Sequence, residues 1–119
     1  MSKFCISLTY AKNDADKATV AFVVANAAVA SEKETLVFLS TEAVHLSQRG
    51  YADDVHEPGF APLAELMSSF VDAGGKIWVC SPCFNKRKLS PDNLVDGAVI
   101  IGGVKLVEFL SDGTPALSF

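Results

Sequence analysis

Alternating and clustered apolar residues predict five strands along the chain. The segment Lys3–Thr9 alternates, so Phe4, Ile6 and Leu8 should lie on one face of a strand. Cys5 then lies on the opposite face, where a small buried thiol is expected. The other four predicted strands are Thr35–Ser40, Lys76–Cys80, Gly97–Ile101 and Ala116–Phe119. The segment Thr35–Ser40 is a continuous apolar run, which is typical of a buried parallel strand.

Helical patterns fill the intervals between these strands. The clearest is an amphipathic stripe that begins near Pro62 and ends at Gly74-Gly75. An earlier helix, capped by Asn13 or Asp14 and running to about Ala30, is apolar around most of its circumference, so we expect another subunit to cover its second side. Shorter helices are predicted at 41–49, after Cys83, and at 104–110 with Val107 and Leu110 facing inward.

This alternation of strands and helices predicts an α/β fold, with a parallel sheet covered on both faces. In such sheets, ligands and catalytic groups gather beyond the carboxyl ends of the strands. Cys80 ends the third predicted strand, and the pocket candidates at other strand ends are Thr9, Tyr10, Val44 and Gly102. The segment Gly50–Gly59 has no periodic pattern and is expected to be a mobile loop.

Composition limits the range of functions. At 119 residues, half of them hydrophobic, the chain suits one domain spanning 1–119. Ten basic and 14 acidic residues give a net charge of −4, which disfavours nucleic acid and anionic membranes as partners. The longest uncharged run, Ala18–Ser31, is shorter than the ~20 apolar residues of a membrane-spanning helix, and no basic segment precedes a signal-like run. We therefore predict a cytoplasmic protein with free thiols.

The strongest chemical feature is Cys80-Ser-Pro-Cys83, which is followed at once by basic residues. A free thiol has a pKa of ~8.5, and two features are expected to lower that of Cys80. One is the N-terminus of the helix that begins here, and the other is cationic charge, with Lys86 and Arg87 as anion-stabilising candidates. A thiolate here is suited to carrying sulfur as a persulfide or to dithiol redox chemistry with Cys83, and the spacing does not separate these two.

Two other interpretations of the cysteine pair are weaker. A metal site would need further ligands from His45 or His56, which nothing in the sequence supports, so no metal and no cofactor is predicted. The motif resembles the C-x-P-C of thioredoxins, but it comes two thirds of the way along the chain. That position argues against a thioredoxin fold, though not against redox activity.

The order of these segments resembles the DsrE/DsrF-like family, which includes sulfur-relay proteins. The resemblance rests on the Ala-rich helix 18–30, the Glu42-Ala-Val44 segment after the second strand, the Gly74-Gly75 turn into the Cys80 strand, and the segment 93–97 with Gly102 and the final strand. It implies a three-layer α/β/α sandwich with a five-stranded, mostly parallel sheet of the flavodoxin or Rossmann kind. It also implies a homo-oligomer, a trimer or a hexamer, with a small sulfur-carrier protein as partner.

The same resemblance implies that Cys80 accepts sulfur as a persulfide. Cys83 corresponds to a second cysteine of the small homo-oligomeric branch, and Arg87 to a basic residue after it. Lys88 stands where that branch often has glycine. The predicted function is therefore sulfane-sulfur handling by a sulfur carrier or sulfurtransferase, with Cys80 as nucleophile and Cys83 as auxiliary thiol. The alternatives are a non-catalytic small-molecule or protein-binding oligomer and a dithiol oxidoreductase.

Overall fold

A computed structural model describes residues 2–119 of the chain. The five strands are β1 (Lys3–Leu8), β2 (Glu34–Leu39), β3 (Lys76–Cys80), β4 (Ala98–Ile101) and β5 (Ala116–Ser118). The four α-helices are α1 (Ala15–Ala30), α2 (Leu63–Asp72), α3 (Ser81–Lys86) and α4 (Gly103–Leu110). The helix predicted at 41–49 is a 3-10 helix that covers Thr41–Ser47, and shorter 3-10 turns cover Lys12–Asp14 and Pro91–Asn93.

The strands form one sheet in the order β4-β3-β2-β1-β5. Every neighbouring pair is parallel, so the predicted mostly parallel sheet is fully parallel. From β1 to β4 the chain steps in one direction across the sheet, and right-handed crossovers then bring the intervening helices to one face. Phe22 of α1, Phe70 of α2 and Phe84 of α3 accordingly share the main core. The connection from β4 to β5 runs back over the opposite face through α4, and the predicted three-layer α/β/α architecture is confirmed.

The two faces of β1 are as the alternation predicts. Ile6 and Leu8 belong to the main core, in which the rings of Phe22 and Phe70 pack edge to face with their centroids 5.9 Å apart. Cys5 points to the other face, where it is buried in a smaller cluster with α4. Burial raises the pKa of the Cys5 thiol to about 11, so this cysteine is an inert part of the core.

The orientation of α4 differs from the prediction. Leu106, Phe109 and Leu110 pack against the sheet, whereas the Val107 side chain is 65% exposed. The prediction that Val107 faces inward was wrong because the helix uses the i, i+3, i+4 stripe that starts at Leu106 rather than the one through Val107. Val104, on the same outward side, is 77% exposed.

The Gly50–Gly59 segment is irregular, as predicted, but it is packed onto the domain. Ala52 and Val55 are buried in the main core. The Val55 carbonyl also accepts a hydrogen bond from the Leu63 N–H at 3.0 Å, which ties the segment to the start of α2.

Three helices end in the same hydrogen-bond arrangement, the Schellman motif. In each, a residue with left-handed backbone follows the last turn, and its N–H and the next N–H bond back to carbonyls of that turn. The left-handed residue is Gly74 after α2, but Glu32 after α1 and Lys88 after α3. Glycine adopts this conformation at little cost, whereas other L-residues are strained in it.

None of the helices found in residues 2–119 is long and apolar enough to cross a membrane.

Candidate functional site

Cys80 lies at the carboxyl end of β3, beside Ile101 of β4. Helix α3 begins at Ser81, so Cys80 is the residue that precedes the first turn, and its backbone is still extended. Pro82 fits this first turn because its missing N–H has no partner to lose there. Cys83 is the third residue of α3, within its first turn, which brings the two thiols to the same end of the helix, as the sequence predicts.

Both thiols are free and partly buried. The pKa of Cys80 is raised, first by burial and then by the hydrogen bond with the Cys83 side chain. The Cys83 backbone N–H and the Arg87 charge act in the opposite direction, but their combined effect is smaller. The expected lowering of the pKa was therefore wrong in its net direction, because burial outweighs the helix N-terminus and the nearby cation. The resting thiol of Cys80 is protonated at neutral pH.

Arg87 is the basic residue that acts on the cysteine pair. Its side chain is only 20% exposed, and its Nη1 donates to the Cys83 carbonyl at 3.2 Å while its Nε donates to Glu42 Oε1 at 3.3 Å. Lys86, by contrast, is exposed, and within residues 2–119 its ammonium forms no hydrogen bond or ion pair. These contacts support Arg87 as an anion-stabilising residue. Among residues 2–119, no contact of the Lys86 ammonium supports it in that role.

Glu42 is a site residue that the sequence prediction missed. Its second carboxylate oxygen, Oε2, lies 3.5 Å from Nε2 of His45. The His45 ring stacks on Tyr51, with centroids 5.4 Å apart, and the Tyr51 hydroxyl accepts from the Lys12 N–H at 3.3 Å. The cysteine pair is thus linked through Arg87 and Glu42 to the Gly50–Gly59 segment. The available signal was the position of Glu42, which follows β2 at the same edge of the sheet as Cys80.

The predicted pocket residues are distributed over different parts of the fold. Thr9 lies at the carboxyl edge, where both its N–H and its hydroxyl donate to the Phe119 carbonyl at 3.0 and 2.9 Å. Tyr10 is half-buried beneath the Lys17 ammonium, which lies 4.6 Å from the ring centroid. Gly102 is exposed and precedes α4, whereas Val44 is fully buried in the main core and contributes to packing.

Thr41 is strained at the same edge of the sheet. Its φ of 50° lies in the left-handed region, which a β-branched residue rarely adopts. Its hydroxyl donates to the Thr9 carbonyl at 2.9 Å, and this contact connects the ends of β1 and β2. Non-glycine residues in strained conformations are enriched at functional sites, and Thr41 lies at the same edge of the sheet as Cys80.

A cavity of about 260 Å³ lies apart from the cysteine pair. It opens between α2, the segment 46–53 and Val95-Asp96, and it contains none of the predicted site residues. Its floor is apolar, with Met67 and Ile77 among its residues, and its rim is charged. An ion pair of 2.9 Å between Arg49 and Asp96 lies on that rim.

The two histidines are engaged separately. His45 contacts Glu42 and Tyr51, whereas Nε2 of His56 lies 2.8 Å from the Phe60 carbonyl. Among residues 2–119, no three His, Cys, Asp or Glu side chains are grouped in a way that would hold a metal ion.

The structure defines a class of protein: a fully parallel three-layer α/β/α sheet that presents a C-x-x-C pair at the carboxyl end of an inner strand. The sequence profile of the DsrE/DsrF-like family matches residues 2–119. The chain belongs to the DsrE/DsrF-like family, and the family prediction is confirmed.

Relatives in sequence carry no assigned function. The chain is 31% identical over 108 residues to the uncharacterized protein MJ0760 of Methanocaldococcus jannaschii, which covers 91% of this chain but only 39% of that protein. It is 25% identical to the uncharacterized protein MJ0989 of the same organism, over 98% of this chain and 99% of that protein. The chain therefore corresponds to less than half of the first relative and to nearly all of the second.

Solved structures agree on the fold. The ychN protein of E. coli superposes with a TM-score of 0.83 at 22% identity, over 100% of both chains. The protein of unknown function MTH1491 of Methanobacterium thermoautotrophicum superposes with a TM-score of 0.72 at 13% identity, again over 100% of both chains. At these identities the likeness supports the fold alone.

Proposed function

We propose that this DsrE/DsrF-like protein carries sulfane sulfur as a persulfide on Cys80. The observation that supports the proposal best is the environment of the Cys80 sulfur. It is partly buried at the carboxyl edge of the sheet, with the Cys83 N–H and the Arg87 charge both favouring its anion. A persulfide anion on Cys80 has the same needs as a thiolate, so both groups would stabilise the loaded form.

The loading step is a sulfur transfer without net redox change. The Cys80 sulfur attacks the outer sulfur of a donor persulfide, R–S–SH, and forms a new S–S bond. The S–S bond of the donor breaks, and its thiolate leaves with the proton that Cys80 gives up. A thiol acceptor then attacks the outer sulfur of Cys80–S–SH and regenerates the Cys80 thiol.

Cys83 offers a second route for release. Its thiolate attacks the inner sulfur of the Cys80 persulfide, which frees hydrosulfide and leaves a Cys80–Cys83 disulfide. A dithiol reductant, which takes up the oxidising equivalent, then restores both thiols. The side-chain hydrogen bond between the two cysteines supports this route.

We further propose that copies of the chain assemble through the α4 side of the sheet. On this side of the molecule the α4 residues Val104 and Val107 are exposed, and Val99 of β4 is 49% exposed. The apolar α1, which first suggested an interface, exposes only Val23 among its larger side chains. Cys80 ends β3 at the carboxyl edge of the sheet, where a small sulfur-carrier protein or a second copy would meet it.

The proposed location is the cytoplasm. Three free cysteines, one of them buried in a strand, suit a reducing compartment better than an oxidising one.

The deciding experiment is the intact mass of the reduced protein after exposure to a persulfide donor, and again after a reductant. The expected result is a reversible gain of one sulfur atom that maps to Cys80, is lost in Cys80→Ser and persists in Cys5→Ser. A gain that survives in Cys80→Ser would refute the assignment. Loss of two hydrogens without sulfur gain would instead identify a Cys80–Cys83 dithiol oxidoreductase.

A second candidate function is small-molecule binding without chemistry. The cavity between α2 and the segment 46–53, with its apolar floor and charged rim, favours it. A ligand screen by thermal shift in Cys80→Ser distinguishes the two functions, because binding in this cavity does not require the thiol. If no compound shifts the midpoint while the wild type gains sulfur, the binding function is excluded for the compounds screened.

A further inference from the structure

We propose that Glu42 is a positioning residue of the cysteine site: its carboxylate holds the Arg87 guanidinium against the Cys83 carbonyl and limits how strongly Arg87 stabilises an anion on Cys80. This inference deepens the proposed function and rests on it for its biological meaning. Its test, however, needs only the thiol of Cys80 and no sulfur donor.

The geometry fixes the guanidinium from two sides. Glu42 Oε1 accepts from Nε at 3.3 Å, and the Cys83 carbonyl accepts from Nη1 at 3.2 Å. A guanidinium has five N–H donors, so these contacts leave three for other acceptors. Arg87 is therefore held in place at the cysteine pair with donors still open to an incoming anion.

Glu42 also places a negative charge against the Arg87 guanidinium. Of the groups that act on the Cys80 sulfur, Arg87 has the smallest effect, after burial and the contacts of Cys83. The charged and titratable groups around the ion pair are Glu42 and His45 from the 3-10 helix, and Cys83, Lys86 and Arg87 from α3 and the residue after it. Of these, Glu42 carries the negative charge, and it contacts both Arg87 and His45.

Two consequences follow for the loaded site. An anion on Cys80 competes with Glu42 for Arg87, and a persulfide anion can recruit the open N–H groups. Replacing Glu42 by glutamine keeps an oxygen that accepts from Arg87 but removes its charge. The freed positive charge should then favour the Cys80 thiolate.

The test is the rate of Cys80 alkylation by iodoacetamide across neutral and mildly alkaline pH. Tryptic mapping separates the reactive pair in Ile77–Lys86 from Cys5 in Phe4–Lys12, and fragment spectra distinguish Cys80 from Cys83. Glu42→Gln should speed alkylation of Cys80 at neutral pH by about 3- to 10-fold, as expected for a pKa lowered by roughly half a unit to one unit. The matched control Glu65→Gln, an exposed carboxylate on α2, should leave the rate unchanged.

Arg87 variants show whether the effect passes through the guanidinium. Arg87→Met alone should slow alkylation by less than about 2-fold, because the Arg87 charge is paired with Glu42 and has the smallest effect on the Cys80 sulfur. In the Arg87→Met background, Glu42→Gln should no longer speed the reaction. An equal acceleration in that background would show that the carboxylate acts directly on Cys80, and this would overturn the positioning role.

Two further results would also overturn it: an unchanged or slower rate in folded Glu42→Gln, or a large loss of rate in Arg87→Met. The Arg87→Met measurement stands even if Glu42→Gln fails to fold. Sulfur loading of the wild type is scored separately by mass, so failure of the sulfur-carrier function and failure of the Glu42 role are distinguished.

Discussion

Replacing Lys88 with glycine tests the backbone that shapes the cysteine loop. Lys88 has a φ of 54°, in the left-handed region. Its N–H donates to the Asn85 carbonyl at 3.0 Å, and the Leu89 N–H donates to the Phe84 carbonyl at 3.4 Å. This is the Schellman position at which glycine is preferred.

The magnitude follows from two opposing terms. A left-handed backbone costs an L-residue about 1–2 kcal/mol, and glycine avoids this cost. Glycine also lowers the free energy of unfolding by roughly 0.5–1 kcal/mol, because the unfolded chain is more flexible at a glycine. The Lys88 side chain is exposed, and its ammonium forms no hydrogen bond or ion pair within residues 2–119. Lys88→Gly should therefore raise the free energy of unfolding by up to about 1.5 kcal/mol.

The assay is urea denaturation at equilibrium, with Gly74→Ala as the reciprocal control. Gly74 has a φ of 99° at the equivalent position after α2, and a Cβ added there meets no heavy atom within 4 Å. Gly74→Ala should therefore lower the free energy of unfolding for conformational reasons alone. If Lys88→Gly is destabilising while Gly74→Ala behaves as expected, residue 88 is not left-handed in the folded protein. The Cys80 alkylation rate should not change in Lys88→Gly, because the loop keeps its shape.

Two further predictions concern the core and the outer face of α4. Burial raises the pKa of Cys5 from 9.0 to about 11, so this thiol stabilises the folded state fully below pH 9.0, and the free energy of unfolding should fall by about 2–3 kcal/mol as the pH rises toward 11. Urea denaturation should show a shallower alkaline decline of that free energy in Cys5→Ala. An equal decline would exclude this thiol as the cause. The double variant Val104→Asp with Val107→Asp should give a lower molecular mass in sedimentation equilibrium. Its helix content should not fall, since both side chains are exposed. An unchanged mass would place any assembly interface elsewhere.

Most of the fold follows from local patterns. The alternation of β1 assigns its residues to the correct faces, and the stripe on α2 buries Leu63, Met67 and Phe70 as its period requires. These elements are predictable because their apolar spacing matches a single period and a single buried face. At α4 two overlapping stripes were available, and the sequence alone did not show that the one containing Phe109 packs on the sheet.

The site is only partly predictable. Cys80 at the end of a strand and at the start of a helix follows from the motif, as does a basic residue near it. The pairing of Arg87 with Glu42 joins residues that are 45 positions apart, and no local pattern encodes it. The direction of the Cys80 pKa shift depends on burial and on the contact with Cys83, which are properties of the packed structure.

The raised pKa of Cys80 is consistent with the proposed sulfur transfer. Small oxidants and alkylating agents react with the thiolate, so a protonated, partly buried Cys80 is protected from them. A donor persulfide that docks at the site brings its own leaving thiolate, which accepts the proton as the new S–S bond forms. The product, Cys80–S–SH, becomes an anion when it loses its own proton, and this anion lies beside the Cys83 N–H and the open donors of Arg87. The open N–H groups of Arg87 can contact the outer sulfur while Nε keeps its bond to Glu42. The same residues that leave the free thiol protonated would therefore hold the sulfur once it has been delivered.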